Sequence, residues 1–162
     1  MTQLVAMAES IGALLKERKE TVAVSESSSG GLVSAALLSV PGASAYFVGG
    51  GVIYTQSARE ALLGVDLEDH PGVRSSSEPY ALLTATALRA RLGTTWGLSE
   101  TGAAGPTGNR YGDAAGHTCI AVAGPAEHSE TLETGLAERE ENMWLFAKKT
   151  LEVFERIVRG TG

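Results

Sequence analysis

A short apolar run, residues 21–24 (Thr-Val-Ala-Val), leads through a polar turn into a segment with helical spacing. The run is typical of a strand, and the turn at residues 25–31 consists of serine, glutamate and glycine. Residues 32–40 then follow a helical pattern that stops before Pro41. The order is therefore strand, small-residue turn and helix, which is the opening unit we expect of a layered α/β protein.

The same alternation of helical and strand patterns continues along the chain. Apolar residues at helical spacing predict further helices at residues 3–18, 57–64, 78–92 and 138–158. Patterns typical of strands occur at residues 48–55, 94–99, 117–123 and 129–135. Together they predict one domain over residues 1–162, a three-layer α/β/α sandwich with a central, mostly parallel or mixed sheet.

Charge and composition exclude several classes of function. The net charge is −6, whereas nonspecific binding of a nucleic acid polymer needs a surplus of Lys and Arg. No apolar run approaches the roughly 20 residues that span a bilayer, and no secretory signal is visible. The single cysteine, Cys119, excludes an internal disulfide, and three widely separated histidines argue against a metal site. We therefore expect a cytoplasmic protein without membrane or nucleic-acid partners.

Hydroxyl groups and glycines meet at the junction between the first predicted strand and the helix after it. Backbone N–H groups at the start of a helix are unpaired and partly positive, which suits a phosphate or a developing oxyanion. Ser27 at this junction is therefore a candidate nucleophile. The alternative is that residues 27–29 merely cap the helix, because the string is neither a nucleophile elbow nor a P-loop.

A second turn of small residues, 101–106 (Thr-Gly-Ala-Ala-Gly-Pro), follows the strand predicted at residues 94–99. In layered α/β folds ligands bind at the carboxyl ends of strands, where both turns would lie. Glycine allows a ligand to contact the main chain, although a tight turn without a ligand is the alternative. The sequence thus predicts that the two turns share one cavity.

Six segments of the chain, in the same order, resemble motifs of a known family, the C-terminal domain of the competence/damage-inducible protein CinA. They are residues 26–31 (Glu-Ser-Ser-Ser-Gly-Gly), 41–47 (Pro-Gly-Ala-Ser-Ala-Tyr-Phe), 54–56 (Tyr-Thr-Gln), 62–65 (Leu-Leu-Gly-Val), 77–78 (Ser-Glu) and 101–106. The resemblance covers about residues 4–157. Active members of the family are nicotinamide mononucleotide deamidases. The resemblance therefore implies an amidohydrolase that releases ammonia from the carboxamide of this nucleotide and needs no cofactor.

The resemblance also implies roles for individual residues. Ser27 would attack the amide carbon, and Tyr54 would orient Ser27 or donate to the substrate carbonyl. Backbone N–H groups of residues 28–31 would hold the oxyanion, and Arg139 would bind the phosphate. The implied substrate-binding residues are Glu26, Ser28, Ser29, Gly30, Gly31, Ser44, Thr101, Gly102, Ala103, Gly105 and Arg139.

Arg59, the third candidate catalytic residue, departs from the family pattern, which has lysine five residues after the tyrosine. A buried lysine can lose its proton and act as a base, whereas a guanidinium cannot, although it can hold a phosphate or a carbonyl oxygen. This favours an alternative function, a non-catalytic member that binds a nucleotide or phosphate ligand. A structural scaffold is a third possibility.

Trp144 near the C-terminus also suggests a homo-oligomer.

Overall fold

Five strands form one mixed sheet in the computed structural model, which describes residues 1–162. The strands are β1 (Val22–Glu26), β2 (Phe47–Val52), β3 (Trp96–Ala103), β4 (His117–Ala123) and β5 (His128–Glu133). Their order across the sheet is β2-β1-β3-β4-β5. β1 runs parallel to β2 and β3, whereas β4 is antiparallel to β3 and β5. The carboxyl ends of β1, β2 and β3 therefore meet the amino end of β4 at one end of the sheet, which we call the site end.

Helices cover both faces of this sheet. They are α1 (Thr2–Arg18), α2 (Leu32–Leu38), α3 (Gln56–Ala58) with a π-helical continuation (Arg59–Leu63), α4 (Glu78–Leu92) and α5 (Arg139–Arg159). α1, α2 and α5 pack against one another on one face, and α4 packs on the other. This is the three-layer α/β/α sandwich that the sequence predicts. None of the helices combines the length and apolar character that crossing a membrane requires.

The two faces of the sheet are packed differently. On the face of α1, α2 and α5, large side chains fill the space, and the ring of Trp96 meets that of Phe154 edge to face at 6.1 Å. Under α4 the strands carry small residues such as Ala121. A Cβ on Gly97 would lie 2.1 Å from the carbonyl oxygen of Ala85, so glycine is required for α4 to approach β3 this closely.

β3 is longer than the sequence predicts. Its last residues, Gly102 and Ala103, pair with Thr118 and His117 of β4, although the pattern placed them in a loop. A Cβ on Gly102 would lie 2.3 Å from the His117 carbonyl oxygen, which explains a glycine inside the strand. β3 pairs with β1 only as far as Ser99, so its last residues extend past β1 and border the space above it.

Candidate active site

Two adjoining cavities open at the site end of the sheet. The first has a volume of about 280 Å³ and the second about 210 Å³, and they share Tyr54 and Gly102. Of the other predicted residues, those that line the first cavity are Ser27, Arg59 and Thr101. Those that line the second cavity are Ser28, Ala103, Gly105 and Arg139. The two small-residue turns therefore lie in one cleft, as the sequence predicts.

The carboxylate of Glu26, at the end of β1, holds the start of α2. Glu26 is buried, and its oxygens accept hydrogen bonds from the N–H groups of Gly31, Val33 and Ser34 at 2.9–3.2 Å. One oxygen also accepts from the Ser29 hydroxyl at 2.7 Å. A carboxylate here compensates the unpaired N–H groups and the dipole of the helix. Neither Glu26 nor Ser29 lines a cavity, which corrects the prediction that they contact a substrate.

A second buried carboxylate, Glu100 in β3, ties this strand to the turn after β1. One oxygen accepts from the N–H groups of Ser27 at 3.1 Å and Ser29 at 2.8 Å. The other accepts from the hydroxyls of Ser28 at 3.0 Å and Thr118 at 2.8 Å. Burial raises the pKa of Glu100, and the hydrogen bonds offset only part of that rise. Three of the four donors belong to the turn after β1, so Glu100 fixes the turn that presents Ser27 to the cleft.

These contacts leave few donors in the turn for an oxyanion. The N–H groups of Ser29, Gly30 and Gly31 all donate to the two carboxylates or to a carbonyl of the turn. Among residues 28–31 only the Ser28 N–H has no partner. The predicted oxyanion site is therefore reduced to one backbone donor, and other donors must come from cavity side chains.

Three predicted substrate-binding residues lie away from the cleft. Gly30 and Gly31 have φ angles of 65° and 97°, so glycine is needed there for the turn itself, and Met143 covers Gly30. Ser44 lies in a 3₁₀ turn before β2, at the opposite end of the sheet from Ser27. Because β1 and β2 are parallel, a residue that precedes β2 cannot meet one that follows β1.

Arg59 is buried in the wall of the first cavity, at the start of the π-helical turn after α3. Thr55 caps this short helix, since its hydroxyl accepts from the Ala58 N–H at 3.2 Å. Arg59 is 7% exposed, and its guanidinium lies 5.7 Å from the centre of the Tyr80 ring. Its buried Nε has no hydrogen-bond partner, and no ion pair in the protein includes Arg59. A buried guanidinium without an anion is unfavourable, so the cavity suits a negatively charged group.

Arg139, the first residue of α5, bridges the two sides of the second cavity. Its guanidinium donates to the Gly105 carbonyl at 2.7 Å and to the Tyr54 hydroxyl at 3.0 Å. Tyr54 is otherwise 58% exposed, so this contact is what holds its hydroxyl above the cleft. Arg139 thereby places a positive charge beside the glycine-rich loop, on the solvent side of the cavity.

The first cavity has a strained residue in its wall, Ser76, whose φ of 58° is uncommon for a residue other than glycine. The Ser76 N–H donates to the Thr101 hydroxyl at 3.3 Å, and its carbonyl accepts from His117 Nε2 at 2.8 Å. The other ring nitrogen of His117 contacts the Glu133 carboxylate. His117 therefore acts on the cavity indirectly, by holding the backbone of its wall.

The contribution of His117 to stability is expected to depend on pH. Burial lowers the pKa of His117, but hydrogen bonds to Glu133 and Ser76 and the charge of Asp113 outweigh burial and raise the pKa above its ordinary value. The folded protein thus binds this proton more tightly than the unfolded chain. The stabilisation is complete below the pKa of unfolded histidine, about 6.5, and is lost as the pH rises through the raised pKa.

Urea unfolding of the wild type and of His117→Gln between about pH 5.5 and about pH 8.5 checks this expectation. The difference in free energy of unfolding between the two proteins should shrink as the pH rises. A difference that stays constant or grows with pH would contradict it.

The remaining chemistry-bearing residues lie outside the cleft. Cys119 is 2% exposed, as predicted for a small buried side chain, and burial raises its pKa to about 11. Its thiol is therefore a poor nucleophile at neutral pH. No group of three or more His, Cys, Asp and Glu side chains is placed to hold a metal ion.

Most of the chain matches one protein family. Residues 4–158 match the family model of the CinA C-terminal domain. The chain belongs to this family. A CinA-like protein from Cyanothece sp. is 44% identical over 126 residues, which are 76% of this chain and 30% of that protein. One from Synechocystis sp. is 38% identical over 139 residues, 86% of this chain and 33% of that protein. The chain thus spans about a third of the length of these relatives.

Solved structures from the CinA superfamily have the same fold. A competence-damaged protein (CinA) superfamily protein from Klebsiella pneumoniae superimposes with a TM-score of 0.90 at 19% identity, over 97% of this chain and 98% of that one. A competence/damage inducible protein from Agrobacterium tumefaciens gives a TM-score of 0.86 at 26% identity, over 93% of both chains.

In this CinA-family domain, the residues that position the cleft are those that the sequence analysis missed. The sequence pattern places Glu100 in a loop and gives Ser76 and His117 no part in the site. Glu100 did carry a signal, because Ser99-Glu100-Thr101 repeats the order of Ser25-Glu26-Ser27 at the end of a parallel strand. A single acidic residue between an apolar strand and a small-residue turn indicates a carboxylate that organises the turn. His117 and Ser76 lie 41 residues apart, and no spacing rule connects them.

Proposed function

We propose that this CinA-family domain hydrolyses the carboxamide of a nicotinamide nucleotide such as nicotinamide mononucleotide, with Ser27 as the nucleophile. The observation that carries the proposal is the first cavity, which Ser27, Tyr54 and Arg59 line together. The Ser27 hydroxyl forms no hydrogen bond within the protein, while the Ser27 N–H is fixed by Glu100. A positioned, unbonded hydroxyl in a polar cavity is suited to attack a carbonyl carbon.

The reaction has two steps. The Ser27 oxygen attacks the amide carbon, and the carbonyl electron pair moves to the oxygen, which accepts hydrogen bonds from the Ser28 N–H and the Arg59 guanidinium. When the carbonyl re-forms, the carbon–nitrogen bond breaks, and the nitrogen leaves as ammonia with the proton from Ser27, which Tyr54 transfers. Water then cleaves the ester, which gives the nucleotide carboxylate and restores Ser27.

The second cavity would hold the phosphate of the nucleotide. Arg139 supplies a positive charge there, and the glycine-rich loop from Gly105 to Gly108 allows a close approach to the main chain. The shared wall at Tyr54 and Gly102 lets one ligand occupy both cavities.

We propose that the domain functions in the cytoplasm.

Binding without turnover is a second candidate function, and Arg59 is the observation that favours it. A guanidinium does not accept the Ser27 proton, and no other side chain in the cavity forms a hydrogen bond to the Ser27 hydroxyl. The cavity would then bind a nucleotide or phosphate ligand with its charge and hydroxyl groups alone.

Ammonia release and thermal unfolding with nicotinamide mononucleotide separate the two candidates. The proposed deamidase releases ammonia, and the nucleotide raises its unfolding temperature. If the wild type releases no ammonia but is stabilised by the nucleotide, the domain binds the nucleotide without turnover. Ammonia release by Arg59→Lys would strengthen that conclusion. A protein without either response contradicts both candidates.

We also propose self-association through β2, an edge strand of the sheet. Residues 47–52 of β2 contain no charged residue and no proline, the features that normally protect an edge strand from pairing. Val48 and Val52 are 51% and 46% exposed. Two copies of the chain could extend their sheets across this edge around a two-fold axis.

Light scattering after gel filtration tests the β2 contact. We expect a dimer for the wild type, and at least about a tenfold weaker association for Val48→Lys, because each copy would then carry a charged side chain on the pairing edge. A monomeric wild type, or a dimer that Val48→Lys leaves intact, would contradict the proposal.

A further inference from the structure

We infer that the first cavity is a carboxylate receptor, in which Arg59 binds the acid form of the ligand in preference to its carboxamide. The inference rests on the proposed function for one point, that the carboxamide carbon of the ligand lies beside Ser27. It adds a preference between substrate and product that the proposed reaction itself does not require.

The charge distribution of the first cavity is the first argument. Arg59 is the only charged residue that lines it, and the other polar groups are mainly hydroxyls, such as those of Ser27, Ser75 and Thr101. Hydroxyls can all donate to an anion, and no carboxylate in the wall repels one. The cavity therefore favours a ligand group with negative charge.

The burial of Arg59 is the second argument. Arg59 is only 7% exposed, and its Nε has no partner inside the protein. Charged groups in such a position normally have a bonded counter-ion. Arg59 lines the first cavity, so a negatively charged ligand group bound there can serve as its counter-ion.

The shape of the guanidinium decides between an acid and an amide. It presents parallel N–H donors, which match the two oxygens of a carboxylate. A carboxamide has only one oxygen, and its NH₂ group would point its own donors at those of Arg59. The arrangement therefore binds the product of the proposed reaction more tightly than the substrate.

The two arginines of the cleft allow the carboxylate to be distinguished from the phosphate. Arg59 lies in the cavity with Ser27, where hydrolysis converts a carbon–nitrogen bond into a carbon–oxygen bond. Arg139 lies in the other cavity, with the glycine-rich loop. A nucleotide whose reacting carbon is beside Ser27 therefore places its carboxylate at Arg59 and its phosphate at Arg139.

Four dissociation constants test the inference. Titration calorimetry compares nicotinate mononucleotide with nicotinamide mononucleotide, each against Ser27→Ala and Ser27→Ala with Arg59→Gln, so that no substrate is consumed. Ser27→Ala should bind the acid at least about tenfold more tightly than the amide, from charge-assisted hydrogen bonds. Arg59→Gln should remove this preference by lowering the affinity for the acid, while the affinity for the amide changes by less than about threefold.

Arg139→Gln in the same Ser27→Ala background is the matched control. It makes the same chemical change in the second cavity, and it should lower the affinities for both ligands equally. If Arg59→Gln lowers the affinities for the acid and the amide equally, Arg59 binds the phosphate and the inference is overturned. The inference is also overturned if Arg59→Gln leaves the affinity for the acid unchanged, or if the acid does not bind. A thermal unfolding midpoint for ligand-free Arg59→Gln at or above the wild-type value would show that the fold is intact.

The outcome is independent of the deamidase test. Ammonia release by the wild type without an acid preference would keep the proposed function and reject the inference. An acid preference that depends on Arg59, without ammonia release, would reject the deamidase and keep the inference.

Discussion

Glu100→Ala is expected to lower the free energy of unfolding by about 3–5 kcal/mol. Glu100 is 1% exposed and accepts hydrogen bonds from the N–H groups of Ser27 and Ser29 and the hydroxyls of Ser28 and Thr118. The alanine variant leaves the two N–H groups and the Ser28 hydroxyl without an acceptor, whereas the Thr118 hydroxyl keeps the Thr101 carbonyl at 3.1 Å. Each buried unsatisfied group costs about 1–3 kcal/mol unless water enters. Urea unfolding, with the midpoint and slope compared to those of the wild type, measures the loss.

Glu100→Gln is the matched control, because it keeps the shape of the side chain and removes its charge. The amide oxygen can accept from the N–H groups of Ser27 and Ser29, while its NH₂ group donates to hydroxyls that rotate to accept. Burial raises the pKa of Glu100, which means that the fold disfavours the charged form, and the amide avoids this penalty. We therefore expect a loss below about 1 kcal/mol. An alanine variant as stable as the glutamine variant would contradict the assigned hydrogen-bonding role.

Local patterns in the sequence suffice for most of the fold. The helices α1, α4 and α5 follow from periodic apolar residues, and Ser77 caps α4 as its position before Glu-Pro predicts. β3 is the exception, because Glu100 and Thr101 are polar and Gly102 has low strand propensity. Pairing with β4 overrides that propensity, and a pairing partner is not visible in a local window.

The candidate site follows from the sequence only in part. Topology brings the turns after β1 and β3 together, because parallel strands end on the same side, and this needs no contact information. Which side chains face the cavity depends on contacts between distant residues. Ser29 and Ser27 have the same chemistry and lie two positions apart, yet one hydroxyl is buried against Glu26 and the other lines the first cavity. Composition alone cannot separate them.

Ser27→Ala is expected to lower the rate of ammonia release from nicotinamide mononucleotide by about 10³-fold or more, because it removes the proposed nucleophile. Nucleotide affinity should change by less than about threefold, since the hydroxyl makes no hydrogen bond that holds the turn. Single-turnover measurements of ammonia, together with titration calorimetry, separate the loss of chemistry from any loss of binding.

Ser29→Ala is the matched control, because it makes the same chemical change in the same turn. Its hydroxyl donates to Glu26 at 2.7 Å and lines neither cavity, so this variant should lose about 1–2 kcal/mol of stability and keep its rate of ammonia release. Ser27→Ala should show the opposite pattern, with stability near that of the wild type. If both variants released ammonia at the wild-type rate, water would have to attack the amide directly. The first cavity would then act by binding and by stabilising the oxyanion, without a covalent intermediate on Ser27.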